Sequence, residues 1–161
     1  MTVLSARPRR SAAMALETAV VLPVLMLLVF AIIEGGMGIF RYQLVACQAR
    51  EAARYASVHG ADWQSDTNNL PVTQNDIIQK VVLPLAVGMD TSQLSVRVQW
   101  VDRSSGVVYD WDGSLQYVKS LTAQGEYVTN NVRITTVYNW VPTFFSNSIQ
   151  LQSTSEMPMS N

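Results

Sequence analysis

Cysteine, histidine and charge are all scarce in this chain. The one cysteine, Cys47, excludes an internal disulfide, and the one histidine, His59, excludes any metal or catalytic site that needs two imidazoles. Only 14% of the 161 residues are charged, against roughly a quarter in ordinary soluble domains, so some segment must be strongly apolar. The formal net charge of −1 lacks the clustered basic excess that marks a nucleic-acid binder. The length suits one modest domain and excludes a multidomain enzyme.

The missing charge is concentrated at one place. Arg7, Arg9 and Arg10 form a basic start, Glu17 follows, and no residue from Thr18 to Ile33 is charged. The uncharged residues before Glu17 and after Glu34 lengthen the run. A helix from Ala13 to Phe40 is roughly 42 Å long at about 1.5 Å per residue, enough to cross a bilayer. The arginines place the N-terminus on the cytoplasmic side and everything after about Arg41 across the membrane. No small-x-small site follows the run, so a retained anchor is favoured over a cleaved secretory signal. Pro23 removes one backbone donor and predicts a kink in this half of the helix.

Helical periodicity continues past the membrane. Tyr42, Ala46, Ala49, Ala53 and Ala56 fall on one face, mostly alanine, that permits close packing, with Arg41, Gln48, Glu51 and Arg54 placed elsewhere. Ala13 to about Ser57 therefore reads as one helix, weakened at Gly35, Gly36 and Gly38 and stopped at His59-Gly60. Residues 61–74 read as a polar linker. Asp76 is expected to cap a short helix presenting Ile77, Val81 and Leu85, ended by Pro84. Strict alternation predicts a strand at Leu94–Trp100, a partner at Val107–Tyr109 after a Ser105-Gly106 turn, and a long strand from Tyr127 to Val141 with Val132, Ile134, Thr136, Tyr138 and Trp140 on one face. Ser148–Glu156 adds a short strand, while residues 110–126 show no clear pattern. The class is α+β, with the amphipathic end of the long helix packed on a short helix and a small antiparallel sheet.

The run Arg9–Ala56 resembles the TadE-like segment of tight-adherence (Flp) pilus assembly proteins. The resemblance rests on small residues after a basic flank, one Glu, an apolar run containing Leu-Pro, an Ile-Glu-Gly exit and the Ala-Arg-Glu-Ala-Ala-Arg-Tyr-Ala helix at 49–56. It implies a pilin-like bacterial minor pilin or pseudopilin, cut by a prepilin peptidase between Ala12 and Ala13 so that Glu17 becomes the fifth mature residue. The partners it implies are the inner membrane, other pilins or pseudopilins, the peptidase and the pilus assembly platform. The expected organisation is a cytoplasmic leader (1–12), a transmembrane helix (13–40), its amphipathic continuation (41–59) and a periplasmic domain (60–161). Loss of residues 1–12 would take the formal net charge from −1 to −4.

A carboxylate at the edge of an apolar run costs a few kcal/mol unless paired. Glu17 of one subunit is therefore expected to pair with the Ala13 ammonium of a neighbour and set assembly register. Glu34, at the other edge, reads as a solvated boundary residue. Helix packing is assigned to Gly35, Gly36, Gly38, Ala46, Ala49, Ala53 and Ala56. Leu44–Cys47 matches a lipoprotein box, but Arg41, Tyr42 and Gln43 separate it from the apolar core, so Cys47 reads as a buried free thiol. Asp110–Gly113 fails as an EF-hand because Val108 and Lys119 occupy positions that need acids, leaving a turn. Trp63, Trp100, Trp111 and Trp140 are expected to fill the core, with Trp111, next to two aspartates, the one of the four best placed for exposure to a partner. No catalytic constellation, cofactor or nucleic-acid surface is expected. The rival reading is an unprocessed, single-pass membrane-tethered binding or sensor domain.

Overall fold

The computed structural model describes residues 8–111, 117–143 and 147–160, side chains at 8–11 and 64 excepted. The chain divides into two compact units, Met1–Gly38 and Ile39–Asn161. One helix, α1 (Pro8–Ser57), supplies the described part of the first unit and the opening of the second. It starts five residues before the expected Ala13, at a proline, which suits a first helical turn because no donor is needed there. Helical conformation runs through Pro23 without a break.

The second unit is α+β, as expected. Its sheet has the order β2-β1-β5-β6, all antiparallel, from β1 (Leu94–Val101), β2 (Val108–Asp110), β5 (Asn131–Trp140) and β6 (Ile149–Pro158). A separate hairpin pairs β3 (Lys119–Leu121) with β4 (Tyr127–Thr129). The inward residues of β5 are the five that alternation selects, Val132, Ile134, Thr136, Tyr138 and Trp140, all buried. Val98 lies opposite Ile134 and Trp100 opposite Val132. These four share a core with Ala52, Ala53 and Ala56 of α1, where small side chains let helix and sheet approach. A second cluster joins Val45 to Ala86, Met89, Tyr138 and Trp140.

The buried stripe of α1 is Val45, Gln48, Ala49, Ala52, Ala53 and Ala56, rotated from the expected one. Tyr42 is exposed, and Gln48, expected on the polar side, is fully buried with Nε2 3.7 Å from Met89 Sδ. The reason is packing: Met89 and Val45 define the line along which the sheet meets the helix, and alanines around much of the helix leave that line undetermined locally.

Three further expectations are corrected. Residues 61–74 contain α2 (Ala61–Thr67), whose Trp63 packs against the core and faces His59 at 4.7 Å. The short helix α3 (Gln74–Ile77) is capped by Thr73, not Asp76; the Thr73 hydroxyl accepts from Asp76 N while Asp76 accepts from Thr73 N, a reciprocal capping box. A π turn (Ile78–Val82) and a 3-10 turn (Leu83–Leu85) then reach Pro84 and beyond. Third, the strand expected from Tyr127 to Val141 is split at Asn130, and the final strand is ten residues long instead of short.

Asn130 is fully buried and satisfied on every side. Its N–H donates to Val118 O at 2.8 Å, its Nδ2 to Tyr117 O at 2.9 Å and to Ser120 Oγ at 2.7 Å, and its Oδ1 accepts from Arg103 N at 3.0 Å. Its carbonyl accepts from Met159 N at 2.8 Å, and the next residue, Ser160, donates its N–H to Ser57 O at 2.8 Å, capping the end of α1. One side chain thus ties the β3–β4 hairpin to the turn after β1, and its backbone ties both to the C-terminal segment. The turn after β1 is closed by Asp102, whose carboxylate accepts from Ser104 and Ser105, and Gly106 at φ +75° takes a left-handed conformation that a side chain would strain.

On the outer edge of β1, the Gln74 amide donates to Val96 O and accepts from Val98 N, both at 3.2 Å, occupying the edge as a strand residue would. The contrast between buried amides is testable by chemical unfolding of the full chain in detergent. Asn130→Ala should lose about 2–3 kcal/mol, because several partners are left unpaired. Gln48→Met should gain about 1 kcal/mol, because Gln48 Oε1 accepts no hydrogen bond among the described residues.

Candidate functional site

The candidate site is the first unit's part of α1. Every residue from 12 to 33 is exposed, including fourteen large apolar side chains between Met14 and Ile33. The helix is long and apolar enough to cross a membrane. Thr18, a hydroxyl within this run, donates to Met14 O at 2.9 Å, so its polar group is satisfied by its own helix. Glu17 is exposed beside Val21, Leu22 and Leu25, and no ion pair to it forms among the described residues.

Ala12 and Ala13 are exposed on the same helix. Gly35 and Gly36 are exposed, and a methyl group at either would meet nothing within 4 Å among the described residues. Gly38 and Ala46 are half-buried, whereas Ala49, Ala53 and Ala56 are fully buried within the second unit. Among the residues assigned to helix packing, those three alanines pack inside their own chain. Glu34 is a correction: it is 6% exposed, where the sequence suggests a solvated carboxylate. Cys47 is a free, half-buried thiol in mid-helix, not the expected buried one.

The remaining candidates resolve into local structure. His59 Nδ1 lies 2.7 Å from Tyr55 O and its ring stacks on Tyr55 at 4.0 Å, so the imidazole closes the last turn of α1. Trp111 is buried in the core with the other aromatics and not open to a partner: its Nε1 donates to Val72 O at 2.7 Å and its N–H to Val98 O, which pins it inward despite the adjacent acids. Asp112 and Gly113 lie outside the described residues. Asp110 is engaged by Arg97, whose Nε donates to Oδ1 at 2.9 Å; that bond holds the carboxyl below its ordinary range. Among the described residues no cluster of three metal-ligating side chains occurs. Lys80 lies 3.9 Å from Asp76, an exposed helical pair.

The Glu156 carboxylate is held by two neighbours on β5. Asn131 Nδ2 donates to it at 2.7 Å and Arg133 Nε at 2.8 Å; the Asn131 bond, then the Arg133 bond and charge, hold its pKa low against partial burial. A depressed folded-state pKa contributes stability above the unfolded value of about 4.3, lost as pH falls through the folded value. Thermal unfolding of Glu156→Gln should therefore show a weaker loss of stability than the parent as pH drops below about 4.5, at a neutral-pH cost on the order of 0.5 kcal/mol.

Comparison with protein families matches residues 12–54 to the model described as TadE-like protein. The comparisons with curated proteins and with solved structures gave no match. The matched span takes in the whole bare stretch of α1, Glu17, the glycines and most of the alanine stripe. Over this segment the chain is similar to the TadE-like family, the resemblance the sequence leads one to expect.

Proposed function

We propose that the chain is a minor pilin or pseudopilin of a tight-adherence pilus, anchored in the bacterial inner membrane by residues 13–40 and assembled with other pilins through the same helix. The observation that carries this reading is the bare apolar surface of α1 within the TadE-like segment. Fourteen exposed large apolar side chains, at roughly 1.5–3 kcal/mol each, amount to about 20–40 kcal/mol of unfavourable hydration. That exceeds the net stability of a typical domain, about 5–15 kcal/mol, so lipid or neighbouring helices must cover this surface. A single-pass anchor fits it.

The leader, residues 1–12, stays cytoplasmic in this reading and is removed by a prepilin peptidase between Ala12 and Ala13. Residues 41–59 continue the helix into a periplasmic domain, 60–161, that contacts other subunits and the assembly platform. Glu17 then pairs with the new Ala13 ammonium of a neighbouring subunit, neutralising both charges in an apolar bundle and setting the stagger. Gly35 and Gly36 support the assembly role. Each costs about 1 kcal/mol in a helix interior relative to alanine, and among the described residues no close neighbour calls for a glycine there. Small residues at this place let a second helix approach closely. Pro23 supplies a bend in the same bundle.

Two measurements test the reading. N-terminal sequencing of membrane-extracted protein should begin at Ala13, and Glu17→Gln should reduce incorporation into sheared pili by about tenfold or more, one buried pair lost. A mature chain retaining Arg9 and Arg10, with unchanged incorporation of Glu17→Gln, would instead support an unprocessed, tethered binding or sensor domain.

A further inference from the structure

Within the second unit, β5 runs opposite to α1. Its start is joined through Asn130 and Met159-Ser160 to Ser57, the end of the helix, while Tyr138 near its end lies against Arg41. Arg41 organises this end of the unit. Its Nη1 donates to Gly88 O at 2.9 Å and lies 3.4 Å from Tyr138 Oη, and its guanidinium carbon sits 5.7 Å from the Tyr138 ring centroid. Trp140 is about 7 Å farther along β5 at ~3.3 Å per residue, Val141 follows it, and Ile149 pairs with Trp140.

Phe40, Tyr42, Val87, Val141 and Ile149 are therefore gathered at the end of the unit where Ile39 begins, and all five are exposed, Val87 to 70%. Exposed aromatic and aliphatic groups also occur at the opposite end, on Leu121 and Tyr127. What separates the two ends is that only the first continues covalently from the apolar stretch of α1. The one nearby carboxylate in the Gly88 loop, Asp90, is turned onto Ser92 N and Oγ.

We propose that this end of the domain is a membrane-interface collar, seated on lipid. Val87, Val141 and Ile149 enter the headgroup–acyl boundary, Tyr42 and Phe40 extend the aromatic border of the helix, and Arg41, bound to Gly88 O, holds the Gly88 loop beside the helix. The combination of amphipathic rings, an arginine that keeps its charged head at the boundary, and adjacent aliphatic groups is the chemistry of a bilayer interface. The partner is the lipid surface itself, and the collar fixes the domain against the bilayer instead of leaving it on a free stalk. This inference rests on α1 being a membrane span.

The test uses the full chain, with Cys47→Ala and single cysteines at Val87, Val141, Leu25 or Leu121, each labelled with an environment-sensitive fluorophore. The proteins are reconstituted into phosphatidylethanolamine–phosphatidylglycerol vesicles at several protein-to-lipid ratios. Labels at Val87 and Val141 should be quenched about twofold or more by lipid carrying a spin label near the headgroup, the Leu25 label by lipid carrying one deep in the acyl chain, and all three shielded from aqueous iodide, at all ratios. The Leu121 label should respond only to iodide. Iodide access at Val87 and Val141 equal to that at Leu121, with Leu25 still quenched by lipid, would overturn the collar and leave the span standing. Loss of lipid quenching at Leu25 would remove the span and the collar together. Shielding that appears only at high protein density would assign the surface to a second copy and overturn the lipid proposal.

Discussion

Water does not tolerate a bare apolar helix, and that constraint governs how this chain is put together. One continuous helix, Pro8–Ser57, meets it in two ways. From Val45 to Ala56 the chain covers its own stripe with β1, β5 and the turns around Ala86 and Met89. From Ala12 to Ile33 every residue is exposed among the described residues, and an apolar stretch of that length suits a lipid solvent. Core packing and the capacity to cross a membrane are therefore carried by a single element.

The covered half works because of size. Ala49, Ala52, Ala53 and Ala56 present almost no side chain, so the backbone of the helix approaches the sheet, and the large residues are provided by the sheet: Val98, Trp100, Val132 and Ile134. Polar ties then fix the two ends. Ser160 on Ser57 O holds the end of the helix, and Arg41 on Gly88 O and Tyr138 Oη holds its entry. Asn130 joins the loops at the far end with hydrogen bonds through both side-chain atoms, the arrangement in which a buried polar group stabilises a fold. Gln48, buried with a weak sulfur contact and an Oε1 that accepts no hydrogen bond among the described residues, is the opposite case.

How much of this was legible depends on whether the signal was local. The inward face of β5 follows from alternation because its five residues all lie on the buried face of one uninterrupted strand. The β1–β2 pairing follows from a hairpin signal, Ser105-Gly106, and the structure adds only the Asp102 closure. Trp111 and Gln48 are poorly marked by local pattern for one reason: their burial is decided by Val72 O and Met89, residues 39 and 41 positions away. Thr73 was missed as a cap although the Thr-x-x-Asp pattern was available, because Asp76 alone also satisfies the capping rule. For the candidate site, Glu17, Gly35 and Gly36 stand where an apolar helix with polar edges puts them, and Glu34 does not.

The amino-acid order alone determined the apolar run, its basic flank, the TadE-like pattern and the alternating strands, since each is a matter of periodicity or composition over a few turns of chain. The tertiary structure alone decided which face of α1 is spent on the core, that Glu34, Gln48 and Trp111 are buried, and that Arg41 ties the Gly88 loop to Tyr138. Those outcomes depend on groups brought together from distant positions, and the free energy of burying a side chain is set by the neighbours it meets, which local pattern does not encode.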